Sequence, residues 1–217
     1  MTNELVHRIR PAEGAPDGML VLLHGRGANE HDLVPLFDEL DPERRLVGIT
    51  PRAPLSLPPG GAHWYVTREL GYPDAGTFNA TFAQLTSWFD GLAERVHVPL
   101  ERTVIGGFSQ GAVMSYALGL IQGRPSPAGI IGLSGFIPTV AGFELDLASR
   151  RGLPVAIGHG TLDPVIGVEF GRAARDRFAA AGLDVLYRET PMSHTIDGEY
   201  MLELRDWLAA RIPRAAA

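Results

Sequence analysis

The sequence predicts an α/β fold in which helices cover both faces of a mostly parallel central sheet. Short aliphatic and β-branched runs, each the length of one strand, alternate along the chain with segments whose apolar residues recur at helical spacing. The clearest helical stripe runs from Phe78 to Val96 in steps of three and four residues. Because parallel strands need long crossovers, this alternation predicts right-handed strand–helix–strand units. With 217 residues, 45% of them hydrophobic, we expect one domain spanning residues 1–217.

The predicted strands and helices follow one another in a regular order. The apolar runs predict strands at residues 5–9, 19–24, 46–50, 103–106, 129–133, 155–158 and 185–189. Helical spacing predicts helices at residues 33–40, 78–96, 112–120, 166–178 and 201–212. Gly182 is expected to cap the fourth helix at its C-terminus, and Pro213 to stop the last. Residues 51–76 and 138–151 lack clear periodicity, and a loop as long as the first is usually functional.

Composition excludes several classes of function. The chain has no cysteine, which rules out a disulfide scaffold, thiolate zinc sites and a cysteine nucleophile. All 19 basic residues are arginine, so the lysine chemistry of Schiff bases and phosphate-binding loops is also excluded. A formal net charge of −6 makes nucleic acid and anionic membranes poor partners. The best apolar run, residues 19–23, is far too short to span a membrane, and the N-terminus lacks the apolar stretch of a signal peptide. We therefore expect a cytoplasmic protein without stable membrane insertion.

The segment Gly107-Phe108-Ser109-Gln110-Gly111 has the pattern of a nucleophile elbow. It follows the predicted strand 103–106 and opens the helix 112–120, which is the context that such a turn requires. The flanking glycines leave the room that a Cβ would occupy, and the serine hydroxyl then projects near the positive end of the helix. The alternative, a glycine-rich turn with an incidental serine, is disfavoured by this placement. Ser109 is therefore the candidate nucleophile.

A serine hydroxyl needs a base to attack at neutral pH, and His194 is the best-placed of the seven histidines. It comes after the predicted strand 185–189 and before the last helix. A histidine side chain, with an intrinsic pKa of about 6.5, can accept and return a proton in the working range. His24 and His159 each precede a glycine at a strand end, and we expect them to pack and hydrogen-bond behind the site.

Asp163 is the candidate acid that would orient the imidazole of His194. It follows the strand 155–158 and precedes Pro164, so an ordinary helix N-cap with proline at the first helical position explains it equally well when it is taken alone. The order Ser109, Asp163, His194, each placed after a successive strand, favours a catalytic triad.

The glycine-rich turn from His24 to Asn29 is the candidate oxyanion loop. It follows an apolar strand and can aim a backbone N–H at the nucleophile, with the N–H of Gln110 as the second donor. A phosphate-binding loop would need a lysine that is absent, and a dinucleotide fingerprint would need a third glycine.

Taken together, these stretches resemble an α/β-hydrolase of the small carboxylesterase/phospholipase family, which includes acyl-protein thioesterases. The matching residues are 23–28, 63–65, 106–111, 133–136, 159–165 and 192–194, in the family's order along nearly the whole chain. The resemblance implies an α/β-hydrolase fold with a minimal lid or none, and it suggests a homodimer. It also implies hydrolysis of short- to medium-chain acyl esters, with no metal or organic cofactor.

The resemblance further assigns residues to substrate binding. It places the first oxyanion donor at the N–H of Arg26, where the family usually carries leucine, and the N–H survives that change. It places Trp64, Phe136, Val165 and Met192 around the acyl group, although plain core packing would also explain the two aromatic residues. The Arg26 side chain raises the hypothesis of a preference for substrates that carry a carboxylate or phosphate, against a simple solvent-facing arginine.

The predicted reaction is a two-step acyl transfer through an acyl-enzyme on Ser109. A thioesterase, lysophospholipase or amidase using the same triad stays open, because the leaving group contacts loops rather than motifs. A binding module without catalysis is the alternative from another class, and it would be expected to lose at least one part of the site.

Overall fold

The computed structural model describes residues 4–214, so the predicted domain 1–217 extends beyond the described residues by three at each end. In chain order the strands are β1 (His7–Arg10), β2 (Gly18–Leu23), β3 (Leu46–Pro51), β4 (Leu55–Leu57), β5 (Gly61–His63), β6 (Thr67–Glu69), β7 (Tyr72–Pro73), β8 (Thr103–Phe108), β9 (Gly129–Leu133), β10 (Pro154–Gly160) and β11 (Asp184–Thr190). The α-helices are α1 (Leu36–Leu40), α2 (Ala75–Val96), α3 (Gln110–Leu120), α4 (Val168–Ala180) and α5 (Gly198–Arg211). Short 3-10 helices occupy Leu100–Arg102 and Ala148–Arg150.

Seven strands form the central sheet in the order β1, β3, β2, β8, β9, β10, β11. β1 pairs antiparallel with β3, and every other neighbouring pair in this sheet is parallel. The mostly parallel sheet predicted from the sequence is confirmed. The strand order reverses between β2 and β8, and in parallel sheets ligands bind at the carboxyl ends of strands beside such a reversal.

Helices cover both faces of this sheet, as the buried residues of β2 illustrate. All six are buried, and alternate residues enter different apolar clusters. Val21 belongs to the cluster that contains Leu85 of α2, whereas Leu20 belongs to the cluster that contains Phe37 of α1 and Leu204 of α5. A strand that is buried on both faces has a continuous run of apolar residues. This explains the uninterrupted apolar stretch at residues 19–23.

All five predicted helix starts differ from the observed ones by two or three residues, and for two of them the structure gives a local reason. The first helix begins at Leu36 rather than Leu33, because Pro35 has no N–H to continue a helix and marks its N-terminus. The fourth begins at Val168 with Gly167 as its N-cap, so Ile166 lies before it. Gly182 follows that helix with a φ of +83°, the left-handed conformation expected of a C-terminal glycine.

The first strand is also displaced. It was expected at 5–9 but spans His7–Arg10, since its ladder with β3 pairs His7 with Pro51 and ends at Arg10. Leu5 instead packs into the core. The six other predicted strands of the sheet are confirmed within about two residues at either end.

The long segment 51–76 is built from two small antiparallel sheets, β4 with β5 and β6 with β7. Its last two residues belong to α2, and Asp74 before them caps this helix, because its side chain accepts a hydrogen bond from Thr77 N at 3.0 Å. Among the described residues, no helix is long and apolar enough to cross a membrane.

Candidate active site

Ser109 occupies the sharp turn between β8 and α3, beside the reversal of strand order. Its backbone has a φ of 55° and a ψ of −120°, a conformation that is strained for any residue with a side chain. Its N–H donates to Leu133 O at 2.8 Å, which holds the turn against the end of β9. The serine therefore sits on a strained strand-to-helix turn at the carboxyl edge of the sheet.

The glycines on either side of Ser109 are required by close backbone contacts. A Cβ on Gly107 would overlap the backbone of Gly111, and a Cβ on Gly111 would overlap the carbonyl oxygen of Leu23. These obstacles are backbone atoms, so no side chain can turn aside to make room. The turn can pack this tightly against β2 only because both positions lack a side chain.

His194 lies between Ser109 and Asp163 at hydrogen-bond distance from both. Its Nε2 is 3.0 Å from Ser109 Oγ, and its Nδ1 is 2.6 Å from Asp163 Oδ2. With the Nδ1 proton donated to the carboxylate, Nε2 is left to accept the hydroxyl proton. The three side chains come from the turns after β8, β10 and β11.

Asp163 is held as a buried carboxylate. Its Oδ1 accepts from Val165 N at 2.8 Å and from Ile166 N at 2.9 Å, while Oδ2 faces His194. Burial by itself raises its pKa, but the hydrogen bonds from His194, Ile166 and Val165 outweigh burial and hold the pKa of Asp163 below its ordinary value. The alternative that Asp163 caps a helix is wrong, because the N-cap of α4 is Gly167.

Two other buried histidines hold backbone around the site, as expected for them. His24 Nδ1 donates to Gly25 O at 2.7 Å, and its Nε2 accepts from Ala53 N at 3.0 Å. Burial lowers the pKa of His24, which favours the neutral ring that this pair of hydrogen bonds needs. His159 Nε2 donates to Ile166 O at 2.8 Å and so fixes the turn that carries Asp163.

The loop after β2 lies directly against the nucleophile turn. A Cβ built on Gly25 would be 3.4 Å from Ser109 Cβ. β5 fixes the far side of the loop: Gly27 N donates to Ala62 O, and Ala62 N donates to Ala28 O, both at 2.8 Å. The segment 51–76 therefore clamps the candidate oxyanion loop in place.

The N–H groups of Arg26 and Gln110 were predicted to form the oxyanion hole. Neither has a hydrogen-bond acceptor among the described residues. Gln110 is the first residue of α3, where N–H groups have no acceptor within the helix and the helix dipole favours negative charge. Both groups are thus available to a ligand beside Ser109.

The side chain of Gln110 ties the nucleophile turn to the segment after β5. Its Oε1 accepts from Trp64 N at 3.0 Å, and its Nε2 donates to Tyr65 O at 2.9 Å and to Thr67 Oγ1 at 3.1 Å. One buried amide therefore carries three hydrogen bonds between two regions that are distant in sequence.

Trp64 is not where the sequence placed it. It was expected beside the acyl group, but its side chain is fully buried. Its Nε1 donates to His24 O at 2.8 Å, and its ring packs 5.4 Å from the His24 ring. The indole therefore supports the backbone behind the oxyanion loop and is not among the residues that line the cavity beside Ser109.

A cavity of about 400 Å³ opens beside Ser109. Of the residues predicted to contact substrate, Arg26, Phe136 and Val165 line it, together with Ser109 and Gln110. Met192 is outside this wall. It is half-buried, and its carbonyl oxygen accepts from Leu162 N at 3.1 Å, which holds the loop before His194.

Four lining residues were missed by the sequence reasoning: Tyr65, Thr67, Leu70 and Ile166. Tyr65 and Ile166 adjoin recognised motifs, and that adjacency was the available signal. Thr67 and Leu70 lie in the segment 51–76, for which only its unusual length indicated a functional role.

A second groove, of about 220 Å³, includes His194 in its wall but not Ser109. Phe108 lines it as well, with its ring 4.7 Å from the imidazole of His194, and the remaining wall is largely aliphatic. Space is therefore open both beside the serine and beside the histidine.

Comparison with known proteins gives a consistent result. A family model described as phospholipase/carboxylesterase matches residues 6–212. An acyl-protein thioesterase 1 from Yarrowia lipolytica is 27% identical over 219 residues, covering 93% of this chain and 95% of the relative. A putative hydrolase, MhqD, from Bacillus subtilis is 32% identical over 176 residues, which cover 79% of this chain and 84% of the relative. The fold is similar to that of a carboxylesterase from Mesorhizobium loti, with a TM-score of 0.83 and 23% identity. The match covers 96% of this chain and 97% of the carboxylesterase chain.

Proposed function

The chain belongs to the phospholipase/carboxylesterase family, and from that premise we propose that Ser109, His194 and Asp163 carry out its ester hydrolysis. The protein is a carboxylic ester hydrolase of the serine type with an α/β-hydrolase fold, and the family acts on small-molecule esters. The roles of the individual residues are our assignment, supported by the geometry of the site.

In the first step, His194 Nε2 takes the proton of Ser109 as Oγ attacks the ester carbonyl carbon. The N–H groups of Arg26 and Gln110 donate to the oxygen that becomes negative. His194 then gives its proton to the leaving alcohol as the carbon–oxygen bond breaks, which leaves an acyl-enzyme on Ser109.

In the second step, water attacks the acyl carbonyl while His194 accepts one of its protons. The acid departs, and Ser109 regains its proton from His194. Asp163 remains ionised throughout and stabilises the imidazolium that forms twice in each cycle. These steps use no cofactor.

The observation that carries this proposal is the continuous relay of 3.0 Å and 2.6 Å contacts, ending on a buried carboxylate with a lowered pKa. A serine, a neutral imidazole acceptor and an ionised acid in this order perform acyl transfer on several unrelated folds. The apolar part of the cavity wall, which includes Leu70, Phe136 and Ile166, suits an acyl chain of short to medium length.

Thioester hydrolysis is a second candidate, favoured by the acyl-protein thioesterase name of a relative that spans 93% of this chain. The same nucleophile, base and oxyanion donors would cleave a thioester. Lysophospholipase activity would use the same triad. Comparing p-nitrophenyl octanoate with octanoyl-coenzyme A at equal concentrations separates these preferences by the ratio of their kcat/KM values.

The central test is Ser109→Ala, assayed with p-nitrophenyl esters from acetate to decanoate. We expect kcat to fall by about 10⁴-fold or more, because the nucleophile is lost. The matched control is Ser149→Ala, an exposed serine bonded to Asp146, which should keep wild-type turnover. Equal and negligible turnover by wild type and Ser109→Ala would instead support a binding module.

A fluorophosphonate probe gives an independent readout of the nucleophile. It should label Ser109 in wild type, as located by peptide mass spectrometry, and label His194→Gln much more slowly. Labelling at another serine would contradict the assignment.

Three further expectations belong to this proposal: one domain over residues 1–217, a cytoplasmic location and a homodimer. Limited proteolysis, cell fractionation and light scattering after size-exclusion chromatography test them in turn.

A further inference from the structure

Arg26 has an unusual position in the cavity beside Ser109. Among the described residues that line this cavity it is the only one with a charged side chain. The rest of the wall is formed by aromatic, aliphatic and neutral polar residues. Arg26 therefore brings a positive charge to a wall whose other described residues cannot neutralise it.

The guanidinium of Arg26 also has no partner among the described residues. It is exposed and makes no ion pair or hydrogen bond with any residue in the described range 4–214. Two nearby arginines differ: Arg68 pairs with Asp74 at 2.9 Å, and Arg52 binds Glu30 and the carbonyl oxygen of Gly60. Arg26 keeps its hydrogen-bonding capacity for a ligand, and a guanidinium fork matches a carboxylate.

We propose that Arg26 selects esters whose acyl group carries a carboxylate a few bonds from the scissile carbonyl. This inference rests on the proposed function and names the substrate class of that site. One guanidinium balances the single charge of a carboxylate, whereas a phosphate with a charge near −2 would be left partly uncompensated.

The two spaces at the site assign the anion to the acyl side. His194 must protonate the leaving group, so the leaving group lies on the side of the groove that contains His194. The cavity with Arg26 contains Ser109 and Gln110 but not His194, and it receives the acyl group and its oxyanion.

The acidic character of the whole protein does not oppose this attraction. The net charge of −6 acts over the surface, and charges beyond about 8 Å are largely screened at physiological salt. The carboxylate of Asp163, which belongs to the same site, is fully buried and paired with His194. Among the described residues that line the cavity, the one charged side chain is therefore positive.

The experiment compares two matched substrates, the p-nitrophenyl ester of glutaric acid with its other carboxyl free and the same compound with that carboxyl methylated. The measured quantity is the anionic-to-neutral ratio of kcat/KM, after subtraction of the uncatalysed rate. We expect this ratio to fall about 10- to 100-fold in Arg26→Leu and to be partly retained in Arg26→Lys. Because both substrates use the same oxyanion donors, a common change in catalysis cancels in the ratio.

Arg68→Leu is the matched control, since Arg68 is an exposed neighbour outside the cavity wall, and its ratio should equal that of wild type. A second substrate pair, 4-carboxyphenyl butyrate and its methyl ester, carries the anion on the leaving group and should give a ratio independent of Arg26. A glutarate ratio in Arg26→Leu within twofold of wild type overturns the proposal, as does dependence confined to the leaving-group pair.

Failure of the proposed function gives a different pattern. In that case wild type would hydrolyse neither ester of either pair, and the fluorophosphonate would not label Ser109. Retained hydrolysis of the neutral esters with an unchanged ratio would leave the triad in place and refute the role of Arg26 alone.

Discussion

The turn that carries Ser109 and the cavity wall beside it are built in opposite ways. Around the serine, backbone atoms meet backbone atoms, and Gly107 and Gly111 leave no room for a side chain. The wall is made by side chains from distant loops, and two of them, Leu70 and Val165, are 40% and 53% exposed. Catalytic geometry is thus fixed by the main chain, while substrate choice is left to side chains that can change at little cost to folding.

The largest expected effect concerns the buried catalytic centre, at the carboxylate of Asp163. In Asp163→Asn the amide oxygen remains the acceptor for Val165 N and Ile166 N, so the amide nitrogen must face His194. That nitrogen donates, which forces the imidazole proton onto Nε2 and removes the acceptor for Ser109. We expect kcat on p-nitrophenyl butyrate to fall by about 10⁴-fold.

Asp146→Asn serves as the control for that experiment, because Asp146 bonds to Ser149 away from the site. It should keep wild-type kcat. A loss of less than tenfold in Asp163→Asn would mean that the carboxylate does not set the tautomer of His194.

The second prediction concerns the backbone contacts of the turn. Gly111→Ala places a methyl group onto the carbonyl oxygen of Leu23, and we expect a loss of about 3 kcal/mol or more in the free energy of unfolding, or no soluble folded protein. Gly198→Ala, at a helix start with open space around its Cα, should be neutral or stabilise by about 0.4–1 kcal/mol. Urea unfolding followed by circular dichroism measures both. Equal stability of the two variants would show that the turn relaxes easily.

The smallest expected effect is in the wall. Leu70→Ala should lower kcat/KM for p-nitrophenyl octanoate by about 3- to 10-fold, mainly through KM, and should change the acetate value by less than twofold. Leu70 is partly exposed, so its contact with an acyl chain is worth less than a fully enclosed one. Leu202→Ala, which removes an exposed leucine of α5 outside the cavity wall, is the control. If Leu70→Ala lowered only kcat for octanoate, Leu70 would act in the chemical step. That result would contradict the assignment of the cavity wall to substrate binding.

The same contrast explains what could be predicted from the sequence. The parallel sheet and the strand-to-helix position of Ser109 follow from local patterns, because each strand and each glycine is constrained by its own neighbours in the fold. The proximity of Ser109, Asp163 and His194 followed from one topological rule, that successive parallel strands end at the same edge.

The wall could not be derived in this way. Trp64 and Met192 were assigned to it from motif membership, but neither is among the residues that line the cavity. Leu70 and Thr67 carry no motif, and their place depends on how two small sheets fold over the oxyanion loop. Such packing is decided by long-range contacts that periodicity does not record.

The amide of Gln110 has a mechanical consequence. Its side chain hydrogen-bonds to Trp64, Tyr65 and Thr67. The main-chain N–H of the same residue is one of the two candidate donors to the reacting oxygen. An acyl group that fits badly and displaces Tyr65 or Thr67 would therefore pull on that donor. A poorly fitting substrate would then have a lower kcat as well as a higher KM. The enzyme would therefore discriminate against it even at saturating concentration.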